Sequence, residues 1–451
     1  MTVLVLTGCH VVTMNTARDE HAGGYVAVDG RRIVGAGAGP VPASLAGARQ
    51  LDASGCLATP GLINAHHHLY QWATRGRAVD ATLFGWLTEL YPVWAGLDEE
   101  IVAAAATAAL AWLARTGCTT TMDHHYLFPP GAGDLLGATV EAARQVGLRF
   151  HPTRGSMDLG ASTGGLPPDD VVEDRDTIMA ATQAAIDKYH DPSPESMLRI
   201  GVAPCSPFSV TRGLLADAAE LARSRGVRLH THIAETADED DYCAEHLGCT
   251  PIEYLESLGW LGSDVWLAHA VHIGDAAIAR LGATGTGVAH CPSSNARLGS
   301  GICRSRALLD AGVPVGLGVD GAASNEETSL IGEVRAATRF ARAVGGPQAM
   351  GVRDALELAT RGGARLLGRE AEIGSLEPGK LADVALWRLD TLPHAGIADP
   401  VAALVLGPRP PLELLLVNGQ PVVSRDRLLT VDEHQAAVAA RRASLALAEK
   451  T

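Results

Sequence analysis

The chain has 451 residues, enough for one large barrel with an appendage or for two or three average domains. It is 47% hydrophobic and 19% charged, so its composition allows a large buried core. The formal net charge of −15 disfavours nucleic acid, and no apolar run is long enough to span a membrane, so neither class of partner is expected.

The first residues and the cysteines indicate the compartment. Residues 1–9 are apolar but lack the basic stretch of an export signal, so we expect a first β-strand there. The eight cysteines include no CxxC pair, which is typical of reduced, buried thiols. Both observations predict a cytoplasmic protein.

Residues 1–58 alternate short β-branched runs with turns, which predicts an all-β module. Within it, Asp29 and Gly30 are typical of a hairpin turn between two such runs. Strand-like segments return near the other end of the chain. We therefore expect residues 1–58 and 372–430 to form one small β-sandwich, followed by a helix in residues 431–451.

Residues 59–371 alternate apolar, strand-like runs with amphipathic helical stretches. The eight strand candidates are 57–68, 119–125, 148–156, 198–206, 227–235, 265–272, 286–294 and 313–320. Eight β/α units predict a (β/α)8 barrel, whose active site lies at the carboxyl ends of the strands. An open, doubly wound sheet is the alternative, but the dinucleotide-binding loop of that fold is missing.

The first of these strands ends in three histidines, His66, His67 and His68. On an extended backbone alternate residues share a face, so His66 and His68 point the same way and His67 points the other way. Two imidazoles side by side at a strand end are suited to gripping one metal ion. His67 is therefore expected to have a structural role.

Three other strands end in residues of the same kind. The fifth presents His232 and Glu235, the sixth His269, and the eighth Asp320. His230 lies one layer deeper and is expected to be a packed core histidine. Because strand ends meet at one rim of a barrel, four strands bring His, Glu and Asp side chains together. The sequence thus predicts an assembled metal site.

These residues, together with the stretch 60–68, resemble the amidohydrolase superfamily, in particular its cytosine/guanine deaminase-like and triazine-hydrolase branch. The resemblance implies catalytic roles for Glu235 and His269, and one divalent ion, zinc or alternatively iron. The ligands that it implies are His66, His68, His232 and Asp320. Within the branch the likeness is greatest to 8-oxoguanine deaminases, through residues 66–71, 154–159, 203–211, 290–295 and 318–325.

The lysines also favour a single ion. Two-metal amidohydrolases bridge their ions with a carboxylated lysine at the end of the fourth strand, but here that strand ends in Cys205 and Ser206. The only mid-chain lysine, Lys188, lies in a predicted helix. The same scarcity of lysine argues against Schiff-base chemistry in the barrel.

The resemblance implies a homo-oligomeric enzyme that hydrolytically deaminates a purine-like heterocycle, most specifically 8-oxoguanine, to urate and ammonia. In this mechanism Glu235 protonates the ring nitrogen, Asp320 accepts a proton from the attacking water, and His269 orients that water. Three alternatives stay open: an s-triazine hydrolase or aminohydrolase, a guanine or isocytosine deaminase, and a catalytically inactive metal-binding relative.

Four further residues are candidates for substrate contacts. Gln71 can donate and accept hydrogen bonds in one plane, as a purine edge requires. Tyr70 and Trp72 either stack on the substrate ring or pack in the core, and His272 contacts substrate or supports a ligand. The roles of three more strand-end histidines stay open: His124, His125 and His290.

A serine-hydrolase pattern, GxSxG, occurs at residues 160–164. The nucleophile elbow of that class needs a strand directly before the serine and a helix directly after it. Here Pro167 and Pro168 follow in a polar loop, so we reject the elbow. We interpret residues 158–168 instead as a flap that closes over the substrate.

Overall fold

The computed structural model describes residues 3–450; residues 1, 2 and 451, which the domain prediction includes, lie outside this range. In the described range the strands, in chain order, are β1 (Leu4–Val12), β2 (Glu20–Asp29), β3 (Arg32–Gly37), β4 (Arg49–Asp52), β5 (Cys56–Pro60), β6 (Leu62–Asn64), β7 (His67–His68), β8 (Cys118–His125), β9 (Arg149–Ser156), β10 (Gly201–Pro204), β11 (Leu229–Ile233), β12 (Val265–His269), β13 (Gly287–His290), β14 (Val315–Leu317), β15 (Asp320–Gly321), β16 (Val384–Arg388), β17 (Leu412–Val417), β18 (Gln420–Ser424) and β19 (Arg427–Leu428).

The α-helices of the same range are α1 (Leu83–Trp94), α2 (Glu99–Arg115), α3 (Leu135–Val146), α4 (Arg175–Tyr189), α5 (Arg212–Arg225), α6 (Ala237–Tyr242), α7 (Pro251–Ser257), α8 (Asp275–Thr284), α9 (Pro292–Arg297), α10 (Ser305–Asp310), α11 (Leu330–Gly345), α12 (Val352–Glu357), α13 (Gly363–Leu366), α14 (Pro400–Leu406) and α15 (Glu433–Glu449). Among the residues that the structure describes, no helix combines the length and the apolar character that a membrane crossing requires.

Eight parallel strands form the central barrel, in the order β14-β13-β12-β11-β10-β9-β8-β6. Strand β15 pairs with β7, and the Asp320 N–H donates to the His66 carbonyl at 3.1 Å, so the eighth strand meets the first and closes the ring. The predicted (β/α)8 barrel is therefore confirmed, and each of the eight predicted runs overlaps one of its strands.

The first predicted strand, 57–68, is not continuous. Its beginning, β5, pairs with β16 outside the barrel, and only β6 joins the barrel sheet. The chain passes from one sheet to the other at Gly61, where a Cβ would lie 2.1 Å from Thr119 Cγ2. The absence of a side chain at this crossing lets the strand change sheets just before the three histidines.

Several barrel helices begin and end as their sequences indicate. Four of them start at a side chain that accepts a hydrogen bond from an N–H three residues later: Asp98, Asp134, Asp174 and Thr211. Helices α3 and α5 end at Gly147 and Gly226, which have the left-handed backbone that glycine adopts without steric cost. These helices pack an extensive apolar core around the strands.

Both chain ends contribute to a second, nine-stranded sheet, in the order β19-β18-β17-β16-β5-β1-β2-β3, with β4 beside β1. The expected β structure from the two termini is thus present, with an apolar core of its own. Helix α15 spans residues within the predicted 431–451 segment. The domain limits 1–58 plus 372–430, 59–371 and 431–451 stay a prediction.

A buried ion pair joins the amino-terminal end of the barrel strands to this sheet. Arg149, the first residue of β9, has no exposed side-chain surface and pairs with Asp383, which is 3% exposed. Asp383 also accepts a hydrogen bond from the Asn418 N–H at 2.7 Å, in the turn between β17 and β18. The pair therefore connects the start of barrel strand β9 with the β17–β18 hairpin of the nine-stranded sheet.

Replacement of Asp383 tests this connection. Asp383→Ala leaves the Arg149 guanidinium buried without a counter-charge, which we expect to cost about 3–5 kcal/mol of unfolding free energy. As a control, Asp310→Ala removes the exposed pair with Arg306 and is expected to cost less than about 1 kcal/mol. Thermal and denaturant unfolding measure both effects, and equal losses in the two variants would contradict the assignment.

Candidate active site

Four side chains meet at the carboxyl-terminal rim of the barrel. Asp320 Oδ1 lies 3.3 Å from His66 Nε2 and 3.4 Å from His68 Nε2. The Nε2 atoms of His68 and His232 are 3.1 Å apart. All four residues are buried. These four residues belong to two overlapping groups of possible metal-binding atoms, one of His66, His68, His124 and His232 and one of His66, His269 and Asp320, and within each group the atoms lie within 4.8 Å of one another.

In His68 and His232, the hydrogen bond made by one ring nitrogen determines which nitrogen faces the candidate metal site. His68 Nδ1 donates to the His124 carbonyl at 2.7 Å, and His232 Nδ1 donates to the Cys205 carbonyl at 2.7 Å. A carbonyl only accepts, so the proton of each neutral ring is on Nδ1 and the lone pair of Nε2 points to the centre.

His66 is held in the same tautomer through a second histidine. His230 Nδ1 donates to the Trp266 carbonyl at 2.8 Å, so His230 Nε2 is an acceptor and receives the Nδ1 proton of His66 at 2.8 Å. His66 Nε2 is then a buried nitrogen without a hydrogen-bond partner among the described residues. As expected, His230 is a buried and satisfied core histidine, and it also orients His66.

Burial lowers the pKa of the three imidazoles, strongly so for His66 and His232, and this favours the neutral rings that bind metals. Three neutral imidazole nitrogens and a carboxylate oxygen form the donor set that zinc prefers. The residues present therefore fit a single divalent ion.

Glu235 and His269 lie beside this group. His269 Nε2 is 3.4 Å from Glu235 Oε2 and 3.9 Å from Asp320 Oδ2, and its Nδ1 contacts Asn295 Oδ1 at 2.9 Å. Ser294 Oγ donates to Asp320 Oδ2 at 2.6 Å. The His269 imidazole therefore lies beside both the Glu235 and the Asp320 carboxyl groups.

The two carboxyl groups have opposite pKa shifts. Burial raises the pKa of Glu235 well above its usual value, and the carboxylates of Asp320 and Glu239 raise it further. Burial also opposes ionisation of Asp320, but His66, His269 and His68 hold the pKa of Asp320 well below its usual value. Carboxyl groups whose pKa values are shifted in opposite directions are suited to separate acid and base roles.

These groups open into one cavity. Its walls combine aromatic and aliphatic side chains with polar groups, which suits a planar heterocycle. Besides His68, His232, Glu235, His269 and Asp320, the lining residues are Gln71, Leu83, Trp86, Leu87, Tyr91, Tyr126, Cys205, Ser206, Phe208, Leu298 and Ser324.

Comparison with known proteins agrees with this geometry. Residues 57–422 match the model of the amidohydrolase family. The chain is 46% identical to an 8-oxoguanine deaminase of Pseudomonas aeruginosa, with 93% of this chain and 95% of that protein covered. It is 38% identical to an isoxanthopterin deaminase from an unknown prokaryotic organism, with 87% and 86% covered.

This chain belongs to the amidohydrolase family. In three dimensions it is similar to the atrazine chlorohydrolase of Arthrobacter aurescens TC1 complexed with zinc, with a TM-score of 0.93, 34% identity, and 98% and 100% of the two chains covered. The predicted superfamily is therefore confirmed. The protein is a metal-dependent aminohydrolase that acts on a C–N bond, and its site is suited to a divalent ion.

Within this amidohydrolase, only one of the four predicted substrate contacts lines the cavity. Gln71 does, and its buried Oε1 has no hydrogen-bond partner among the described residues. Tyr70 instead packs against Trp94, with ring centroids 5.4 Å apart, and Trp72 lies under the Arg75 guanidinium, 4.1 Å from its ring centre.

Local backbone geometry explains these positions. After His68 the chain enters a 3-10 helix, Leu69–Thr74, so neighbouring side chains no longer alternate between two faces. His272 is also absent from the lining and contacts the Ser300 carbonyl through Nε2 at 2.7 Å. Tyr70, Trp72 and His272 thus do not line this cavity, and their contact with substrate stays a prediction.

Aromatic and apolar walls of the cavity were not predicted. Tyr126 directly follows the histidines of β8, so its place at the rim was open to the same strand-end argument. Trp86 and Leu87 come from α1, which lies in the long connection after the first barrel strand. No local pattern distinguishes them from ordinary core residues of an amphipathic helix.

The four remaining strand-end histidines are hydrogen-bonded to the backbone or buried. His67 Nδ1 contacts the Asp320 carbonyl at 2.6 Å, in line with its expected structural role. His124 contacts the Ala203 carbonyl at 2.9 Å and stacks on His232 with centroids 4.7 Å apart. The other two, His125 and His290, are buried and do not line the cavity.

The GxSxG segment does not form a nucleophile elbow. Ser162 lies in a short 3-10 turn, Ala161–Thr163, and its Oγ contacts Asp169 Oδ1 at 3.0 Å rather than a histidine. The Leu166 N–H donates to the carbonyl of Phe208, a cavity-lining residue, at 3.0 Å. The segment is thus anchored next to the cavity, and its closure over substrate stays a prediction.

Removal of one candidate ligand tests the ion site. We expect His68→Ala to weaken divalent-metal binding by more than roughly 100-fold, because second-sphere changes alone cost about 10- to 100-fold. His151→Ala is the matched control, since it removes another buried barrel imidazole, packed against Trp266. Elemental analysis after dialysis measures both, and equal metal content in the two variants would contradict the assignment.

Proposed function

We propose that this amidohydrolase deaminates 8-oxoguanine, giving urate and ammonia. The observation that carries the proposal is the position of the buried Glu235 beside His269 and the candidate ligands His66, His68, His232 and Asp320, at a cavity with aromatic walls. The 46% identity to an 8-oxoguanine deaminase over 93% of the chain supports the choice of substrate.

In this proposal His66, His68, His232 and Asp320 hold one zinc ion, with iron as the alternative. A bound divalent ion supplies Lewis acidity that makes water a nucleophile at neutral pH. The zinc in the structure of the related atrazine chlorohydrolase supports the choice of metal.

The chain's own acids and bases move the protons. Glu235 donates its proton to the ring nitrogen beside the amino-bearing carbon, which makes that carbon electrophilic. Asp320 accepts a proton from the attacking water, and the nearby His269 orients this water. A proton then passes to the amino group, the C–N bond breaks, and ammonia leaves as the carbonyl forms. Acid–base catalysis of this kind contributes about 10²- to 10⁴-fold.

Gln71 is proposed to recognise the edge of the heterocycle. Its side-chain amide carries an acceptor and two donors in one plane, and its free Oε1 is buried at the cavity wall. The cytoplasmic location and the homo-oligomeric state expected from the sequence stay predictions.

A second candidate function is hydrolysis of an s-triazine. The TM-score of 0.93 with an atrazine chlorohydrolase favours it, because a triazine is also a flat ring with amino-bearing carbons. The isoxanthopterin deaminase relative adds a pteridine to the candidate substrates.

One substrate panel tests the proposal. The metal-loaded protein is assayed for ammonia release from 8-oxoguanine, isoxanthopterin, guanine, isocytosine and a hydroxy-triazine at equal concentrations. We expect the highest kcat/KM with 8-oxoguanine. A clear preference for another ring reassigns the substrate, and no turnover of any compound favours a catalytically inactive relative.

The role of Glu235 has a separate test. Glu235→Gln keeps the size of the side chain but removes the transferable proton, so we expect kcat to fall by about 10²- to 10⁴-fold with unchanged metal content. Glu220→Gln, the same change at an exposed position of α5, serves as the control. A Glu235→Gln variant with wild-type kcat would exclude the proposed acid.

A further inference from the structure

The turn that carries Glu235 has an unfavourable backbone conformation. Strand β11 ends at Ile233, and Ala234 follows with φ of 49°, in the left-handed region. Residues other than glycine rarely adopt this conformation, which costs about 1 kcal/mol or more. Since Glu235 comes next, the direction of its side chain depends on whatever holds this turn in place.

One side of the turn is held by the residues that follow strand β12. The Ala234 carbonyl accepts hydrogen bonds from the N–H groups of Val271 and His272, both at 2.9 Å. The Ile233 carbonyl accepts one from the Ala270 N–H at 3.1 Å. These bonds connect the turn to the residues that directly follow His269.

The other side of the turn is held by a single carboxyl group. Glu239 Oε1 accepts a hydrogen bond from the Ala234 N–H at 2.7 Å, and Glu239 Oε2 accepts one from the Glu235 N–H at 3.0 Å. Glu239 belongs to α6 and has no exposed surface. Both oxygens are therefore used, each for one N–H of the turn.

No other interaction explains this buried acid. Within residues 3–450 no Arg, Lys or His forms an ion pair with Glu239. It also does not line the cavity, so it does not touch substrate there. Burial of a carboxyl group without a cation is costly, and the two backbone N–H groups are the partners that offset this cost.

We propose that Glu239 is a positioning residue: its two carboxyl oxygens fix the Ala234–Glu235 turn and so aim the Glu235 carboxyl at the reacting ring nitrogen. The inference rests on the proposed function of Glu235. It assigns Glu239 no contact with substrate and no proton in the reaction. Because misplacement of a catalytic group by about 1 Å can cost on the order of 100-fold in rate, loss of this support affects kcat.

Glu239→Gln tests the proposal with the smallest change in shape. The amide has one acceptor oxygen, so its NH2 group must face one of the two N–H donors. We expect kcat to fall by about 10- to 100-fold, with KM, metal content and melting temperature close to wild type. Asp241→Asn is the control, because Asp241 is exposed in the same acidic segment, and its kcat is expected to be unchanged.

Amide hydrogen exchange supplies a readout that does not need turnover. In the wild-type protein the amides of Ala234 and Glu235 are expected to exchange slowly, and in Glu239→Gln at least about tenfold faster, while peptides from β9 are unchanged.

The outcomes separate the two proposals. Wild-type kcat in Glu239→Gln overturns the positioning role, and so does a parallel loss of metal, stability and kcat, which marks general structural support. If the wild-type protein turns over none of the panel compounds, the proposed function fails, and faster exchange confined to this turn still supports the positioning of Glu235.

Discussion

The chemistry of this protein depends on one close approach, between the ends of the first and eighth barrel strands. The Asp320 N–H donates to the His66 carbonyl, and a Cβ at position 318 would lie 2.5 Å from His66 Cβ, so glycine is required there. Without this approach Asp320 would be too far from His66 and His68 to share an ion with them. The same contact therefore closes the barrel and completes the set of candidate metal ligands.

Burial at this rim affects the pKa of every ionisable group, and the net shift depends on the neighbours of each group. It favours neutral rings at His66, His68 and His232, and it favours the protonated form of Glu235. The imidazoles around Asp320 lower the pKa of its carboxyl group, whereas the charges of Asp320 and Glu239 raise the pKa of Glu235. One buried rim thus provides candidate ligands, an acid and a base whose pKa values are set by their neighbours.

Regular periodicity explains what could be predicted from the sequence. Alternation of strands and helices predicts the barrel, and the convergence of strand ends predicts that His66, His68, His232 and Asp320 meet. This periodicity ends at His68, where a 3-10 turn begins, so it no longer indicates which way the side chains of the next residues point. The cavity-lining residues of α1 could not be predicted from the local sequence either, because only tertiary packing brings that helix over the rim.

Departures from regular strand geometry coincide with the chemistry. Four rim residues have left-handed backbone angles, Ala234, His269, Ala270 and Asp320. Polar side chains from the connections between strands bond to three of them: Glu239 accepts from the Ala234 N–H, Asn295 contacts the His269 ring, and Ser294 donates to the Asp320 carboxylate. Strain of about 1–3 kcal/mol per residue persists only where surrounding contacts determine the conformation. In this barrel the strands therefore define where the site lies, and polar side chains from the connections between strands help to orient the reactive groups.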